Sequence, residues 1–134
     1  METIKSFSDL SQSRKLIEIL PIETADMYWL NRHIDLTETK YEVFVIDKSN
    51  KYIDFFKSYA VAIDNKEIIP CWSLAALFSV IPEGIIENYY APNIQKENGK
   101  YSIAYGNEEL LCKADNPLDA CYEMILKLHE QKLL

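Results

Sequence analysis

Apolar and polar residues recur along this chain with two different periods, one typical of helices and the other of strands. Residues 8–20 repeat apolar positions at helical spacing, which predicts a helix with Ser8 as its N-cap and Pro21 as its stop. A second helical stripe follows Asn116, a good N-cap residue, with Pro117 at the first helical position. The pattern therefore predicts an amphipathic helix near each end of the sequence.

A third helix is predicted over residues 70–81. Ser73 is its expected N-cap, because Trp72 before it and Leu77 after it have the spacing of a hydrophobic staple. The segment has almost no polar face. We therefore expect this helix to be buried on all sides or to be covered by a partner.

Strand-like alternation occupies most of the segments between the helices. Asn98-Gly99 is a type I′ turn signature and predicts a hairpin. Residues 26–31 favour a strand over an extension of the first helix, whereas residues 32–40 are polar and predict a loop. The further predicted strands are 40–47, one within 52–63 that is best at 59–63, 66–69, 85–90, 100–105 and 108–114.

The order of these elements predicts the fold class. Helix, strands, helix, strands and helix, joined by short hairpins, indicate an α+β fold with antiparallel sheets and about three helices, the last of them C-terminal. The chain has 134 residues, the usual size of one domain. We therefore predict a single globular domain over residues 1–134.

The charge balance narrows the classes of partner. The chain carries 21 acidic and 14 basic residues, a formal net charge of −7 spread along its length. Nucleic-acid binding requires a basic footprint, and anionic membranes favour basic surfaces, so neither partner is expected. The longest apolar run, residues 74–81, is far shorter than the ~20 residues of a membrane span.

The three cysteines, Cys71, Cys112 and Cys121, are odd in number and lack metal-knuckle spacing. Without a secretory pattern at Met1, this predicts a reducing, cytoplasmic setting. Cys71 precedes a predicted helix and is the candidate nucleophile, but with Ser73 as the cap it lies outside that helix, and burial as an apolar residue is the preferred explanation. No metal or cofactor is expected, because the cysteines and histidines are scattered and no two glycines share a loop.

Aromatic residues are the other candidate functional feature. If they remain exposed, Trp29, Tyr89, Tyr90, Tyr101 and Tyr105 form an interaction face, since tyrosine and tryptophan are enriched at interfaces. The alternative is a sheet core whose hydroxyls reach water.

Two segments resemble small proteins encoded by phages and mobile elements of Bacteroides-type gut bacteria. One is Ile69-Pro70-Cys71-Trp72-Ser73-Leu74-Ala75-Ala76-Leu77-Phe78, and the other runs from Asp115 through Asn116-Pro117-Leu118-Asp119-Ala120-Cys121-Tyr122-Glu123-Met124-Ile125 to His129-Glu130. The acidic and aromatic stretch Ala25-Asp26-Met27-Tyr28 also fits. These motifs mark helix starts and contain no recognisable catalytic or ligand-binding residues. The resemblance therefore implies an origin and a fold but no active-site residue.

The sequence thus predicts a non-enzymatic, protein-binding accessory module of phage or mobile-element origin. A homodimer formed through the apolar helix or an exposed strand edge is one expectation. Two alternatives stay open: an acidic DNA mimic that inhibits a host enzyme, and a small cysteine-dependent enzyme that uses Cys71.

Overall fold

A computed structural model describes residues 4–33, 39–49, 54–84, 91–106 and 110–134. The chain divides into two compact units, one formed by Asp9–Ser73 and the other by Met1–Ser8 together with Leu74–Leu134. Both combine helices with a three-stranded antiparallel sheet. The predicted α+β class is confirmed, and the last helix is C-terminal as expected.

The Asp9–Ser73 unit is built around a sheet in the order β2-β1-β3. Helix α1 packs against β3 and so does α3. The buried apolar residues of this unit include Leu16, Ile46, Ile69 and Trp72. Its elements are α1 (Leu10–Ile17), a 3₁₀ turn (Ile22–Thr24), β1 (Met27–His33), β2 (Thr39–Val45), α2 (Phe55–Ser58), α3 (Ala60–Asp64) and β3 (Ile68–Cys71).

Helix α1 starts one residue later than the Ser8 cap predicts. Asp9 is the N-cap: its Oδ1 accepts from the Gln12 backbone N–H at 2.8 Å, and the Gln12 Oε1 accepts from the Asp9 N–H at 3.1 Å. This reciprocal capping box satisfies two helix-end donors at once. It explains why the cap moves from Ser8 to Asp9.

The predicted strand at residues 59–63 is wrong. Asp54 caps α2 by accepting from the Lys57 N–H at 3.3 Å, and α3 follows within the same stretch. Ala60 and Ala62 favour helix over strand, and Val61 is 73% exposed rather than turned into a sheet core. Two short helices therefore replace the expected strand.

The other boundaries of this unit also moved. Strand β1 confirms the strand predicted at 26–31 but continues to His33, and β2 confirms the 40–47 strand but begins at Thr39. The predicted loop at 32–40 is therefore shorter, and its centre, residues 34–38, lies outside the described residues. The short strand at 66–69 appears two residues later as β3.

The second unit contains α4 (Leu74–Val80), β4 (Asn93–Glu97), β5 (Lys100–Ala104), β6 (Leu111–Ala114) and α5 (Pro117–Glu130). The predicted helix at 70–81 is confirmed only over α4, because Pro70 and Cys71 belong to β3. Its expected burial on all sides is wrong for this chain. Leu77 is the one fully buried residue of α4, while Phe78 remains 37% exposed.

The second sheet has the order β4-β5-β6, and α5 packs against β5, β6 and α4. The predicted hairpin joins β4 to β5: Asn98 and Gly99 both have positive φ, 52° and 76°. Strand β6 begins at Leu111 and confirms the end of the predicted strand 108–114. Residues 108–109 and the predicted strand at 85–90 lie outside the described residues.

Helix α5 forms as the sequence predicts. The Asn116 Oδ1 accepts from the Asp119 N–H at 2.8 Å, and Pro117 occupies the first turn. The N-terminal segment joins this unit through an ion pair of 2.9 Å between Lys5 and Asp119 and a backbone bond from the Leu74 N–H to the Ser6 carbonyl. In the described ranges there are five α-helices, two more than expected, and none is long and apolar enough to cross a membrane.

Candidate functional site

The two faces of the first sheet differ in what covers them. Side chains alternate along a strand, so Tyr28 and Trp29 of β1 point to opposite faces. Helix α1 lies on the Trp29 face, where the Arg14 guanidinium carbon lies 5.9 Å from the centre of the Tyr41 ring. Helix α2 lies on the Tyr28 face, where the Phe55 and Tyr28 rings are 4.7 Å apart.

The Tyr28 face carries a cluster of five aromatic rings, which we call the aromatic patch. Phe55 is at its centre, with ring centroids 4.7 Å from Tyr28, 5.6 Å from Phe56 and 4.9 Å from Tyr59. Phe44 of β2 stacks on Tyr28 at 5.5 Å. Tilted and edge-on contacts at these distances are the favourable aromatic geometries. The patch consists of Tyr28, Phe44, Phe55, Phe56 and Tyr59.

The patch is only half covered by the rest of the unit. Tyr59 is 47% exposed, and the other four members are half-buried. At one edge, the Arg32 guanidinium lies 5.9 Å from the centre of the Phe44 ring and its Nε is 3.5 Å from the Glu42 carboxylate. Aromatic residues with an arginine at their border are the composition that interface centres favour. Chemically, the patch suits apolar docking rather than bond making.

The residues of the predicted interaction face fall in both units and partly outside the described residues. Trp29 is half-buried on the α1 side of its sheet, opposite the aromatic patch. Tyr101 and Tyr105 belong to the other unit, and Tyr89 and Tyr90 lie outside the described residues. Tyr101 is half-buried beside the Lys96 ammonium, which is 5.4 Å from its ring centre.

Tyr105 is a core residue with only 1% of its surface exposed. Its hydroxyl donates to the Pro82 carbonyl at 2.5 Å. Burial raises the pKa of Tyr105 to about 12. It therefore offers almost no surface to a partner.

Cys71 has no surface exposure and ends β3 opposite Met27, three residues before α4 begins. A helix start can activate a thiol only at close range, so this position gives Cys71 neither access nor that activation. Burial raises the pKa of Cys121 to about 12. Burial also raises the pKa of Cys112, and of the two nearby charges Lys127 lowers this pKa while Glu123 raises it. No cysteine is in a disulfide, and no metal-binding cluster occurs among the described residues.

The second sheet has a polar face opposite Ile103. Asn93, Gln95, Glu97, Ser102 and Lys113 line a shallow cavity of about 320 Å³ there. This volume is at the lower end of small-ligand sites. Because its groups include both an acid and a base along with neutral donors and acceptors, the cavity specifies no single class of ligand.

The sequence prediction did not select the aromatic patch as the interaction face, although a signal for it exists. Asp54 is a helix N-cap residue, and Phe55 and Tyr59 are four residues apart, which places them on one side of a helix. The strand prediction for this segment separated these residues instead. No protein-family model, curated protein or solved structure matches this chain, so no residue role is transferred to it.

Proposed function

We propose that this chain is a non-enzymatic protein-binding module that uses the aromatic patch as its contact surface. The observation that carries the proposal is the half-exposed cluster of five rings, held in mutual contact between β1, β2 and α2. Interface energy concentrates in a few such anchors. A partner that inserts an apolar side chain beside Tyr59 and Phe56 buries both without reorganising the sheet.

The setting of this function follows from the sequence. The two segments resembling small phage and mobile-element proteins support an origin in such an element. Three thiols without a disulfide support a cytoplasmic location. The net charge of −7 favours a protein partner over a nucleic acid.

The test is affinity capture from a lysate of the encoding organism, with the retained proteins identified by mass spectrometry. The patch variant is Phe56→Ala with Tyr59→Ala, which removes the outer rings and leaves Phe55 in place. The matched control is Phe78→Ala, since Phe78 is a partly exposed aromatic of α4 in the other unit. All three proteins are first compared by circular dichroism.

We expect the parent chain to capture one stoichiometric partner. The patch variant should retain at least about tenfold less of this partner than the parent, and the control should retain as much as the parent, because truncating a hot-spot residue costs about 2 kcal/mol or more of binding free energy. The absence of any partner, or equal retention by both variants, contradicts the proposal. A partner released by salt and unaffected by either variant favours the acidic decoy instead.

A further inference from the structure

Strand β2 is an edge strand, because the sheet order is β2-β1-β3. Within the described ranges, no backbone hydrogen bond joins its outer side to another segment. The opposite edge, β3, differs: all four of its residues are buried, and Pro70 has no N–H to donate. Of the two edges of this sheet, β2 is thus the one that presents an open pairing edge among the described residues.

The hydrogen bonds of the sheet fix which residues of β2 point outward. The Ile46 N–H donates to the Asp26 carbonyl at 2.9 Å, so even-numbered residues of β2 bond to β1. Bonded and non-bonded positions alternate along an antiparallel strand. The N–H and C=O groups of Tyr41 and Val43 therefore face away from β1.

We propose that two copies of this chain pair antiparallel through β2, with the two Tyr41 residues opposite each other. This register joins the outward backbone groups of both strands. It also places Lys40 opposite Glu42 of the partner subunit, and Glu42 opposite Lys40 of the partner subunit. These are non-hydrogen-bonded positions, where side chains approach most closely.

Charge selects this register over its neighbours. Sliding one strand by two residues in either direction places Lys40 opposite its own copy or Glu42 opposite its own copy, and directly opposed like charges are destabilising. Among the described residues, Lys40 has no ion-pair partner, whereas Glu42 has the exposed pair with Arg32. An edge lysine also protects a strand from unspecific pairing, so the same residue disfavours open-ended association.

The dimer adds a property that a monomeric binding module lacks. The twofold axis of such a strand pair runs perpendicular to the sheet, so both aromatic patches lie on one face of a continuous sheet. Two linked sites raise the avidity for a repetitive or dimeric partner. The dimer itself does not depend on the proposed function of the patch.

Sedimentation velocity of the purified full chain, across a micromolar to submillimolar series, tests the proposal by charge exchange. Lys40→Glu alone and Glu42→Lys alone each place like charges opposite each other twice, so we expect dimer affinity to fall at least about tenfold. The double variant Lys40→Glu with Glu42→Lys restores opposite charges, so its affinity returns to within about threefold of the parent. Lys15→Glu, which changes the exposed pair with Glu18 on α1, leaves the dimer unchanged.

A second readout does not depend on how well the charge variants fold. Directly opposed residues at a non-hydrogen-bonded position have Cα atoms about 4.5 Å apart and closely approaching side chains, which suits a disulfide. A mixture of Lys40→Cys chains and Glu42→Cys chains is therefore expected to form a covalent dimer on mild oxidation, whereas neither variant alone is expected to cross-link through this pair. A monomeric parent, a double charge variant that stays monomeric, or failure of the mixture to cross-link would each overturn the proposal.

Discussion

The Tyr28 ring of β1 and the Phe55 ring of α2 lie 4.7 Å apart, and this contact joins the first sheet to the helix beside it. Phe55 also touches Phe56 and Tyr59, so the position of the patch depends on one central ring. The outer rings, Phe56 and Tyr59, each contact this centre. We therefore expect Phe55 to contribute most to the stability of the patch and the outer rings to contribute most to the proposed binding.

We predict that Phe55→Ala lowers the free energy of unfolding by about 2 kcal/mol, because it removes three ring contacts and leaves a gap beside Tyr28. Tyr59→Ala is expected to cost about 0.5 kcal/mol, since Tyr59 is 47% exposed and loses one ring pair. Urea unfolding followed by fluorescence measures both. Equal losses would show that the patch has no central residue.

Asp26 is expected to stabilise the segment that follows β3 at the end of the Asp9–Ser73 unit. Its carboxylate accepts from the Ser73 N–H at 2.9 Å and from the Ser73 hydroxyl at 2.5 Å. Asp26→Ala removes both hydrogen bonds, so we expect a loss of about 2 kcal/mol in urea unfolding. Glu18→Ala, which removes an exposed carboxylate paired with Lys15, should cost less than about 0.5 kcal/mol. A comparable loss in both variants would contradict this account.

The cysteines are expected to differ in reactivity. Cys112 is half-buried, whereas Cys71 and Cys121 have no exposed surface. In the folded protein at neutral pH, iodoacetamide should therefore modify Cys112 first and leave Cys71 unmodified, while urea exposes all three. Peptide mass spectrometry measures the order. Rapid modification of Cys71 in the folded state would revive the cysteine-enzyme alternative.

Tyr105 should ionise only at high pH. Its pKa is raised from 10.0 to about 12 by burial, so the unfolded chain releases this proton first. The contribution of Tyr105 to stability is therefore complete below pH 10 and is lost as the pH rises towards 12. In a phenolate absorbance titration of the folded protein, Tyr105→Phe should remove a late-ionising tyrosine. If it removes an early one instead, Tyr105 is not buried as described.

The hydroxyl of Tyr105 also has a role at neutral pH. Because it donates to the Pro82 carbonyl in the buried part of the second unit, Tyr105→Phe should lower the free energy of unfolding by about 1 kcal/mol. Urea unfolding at neutral pH measures this loss. An unchanged stability would mean that water replaces the bond.

Local signals in the sequence predicted the parts of the fold that local chemistry determines. The Asn116 side chain and the fixed φ of Pro117 start α5, and Asn98-Gly99 turns the second hairpin through its positive φ angles, so each signal acts within a few residues of its own position. The segment after Asp54 could not be assigned in this way. Alternation at Tyr59, Val61 and Ile63 suits a strand, but the sheet pairs β1 with β2 and β3 and leaves this segment outside the ladder.

The candidate site was harder to predict than the fold. Its rings come from β1, β2, α2 and the residue that follows α2, Tyr59. Only the register that pairs Tyr28 with Phe44 brings the two strands' rings together. Aromatic content alone selected Trp29 and Tyr105, which lie on a covered face and in a core. The helix at residues 55–58, which brings Phe55 against the sheet, was not predicted from the sequence.

The most direct measurement for the aromatic patch is site-specific photo-cross-linking in the native host. A photoreactive phenylalanine replaces Tyr59 in one protein and Phe78 in the control, and both are irradiated in cells. We predict one discrete adduct between position 59 and a host or element-encoded protein, and no such adduct from position 78. The absence of an adduct at 59, or the same adduct from both positions, would contradict the patch as a protein-binding surface.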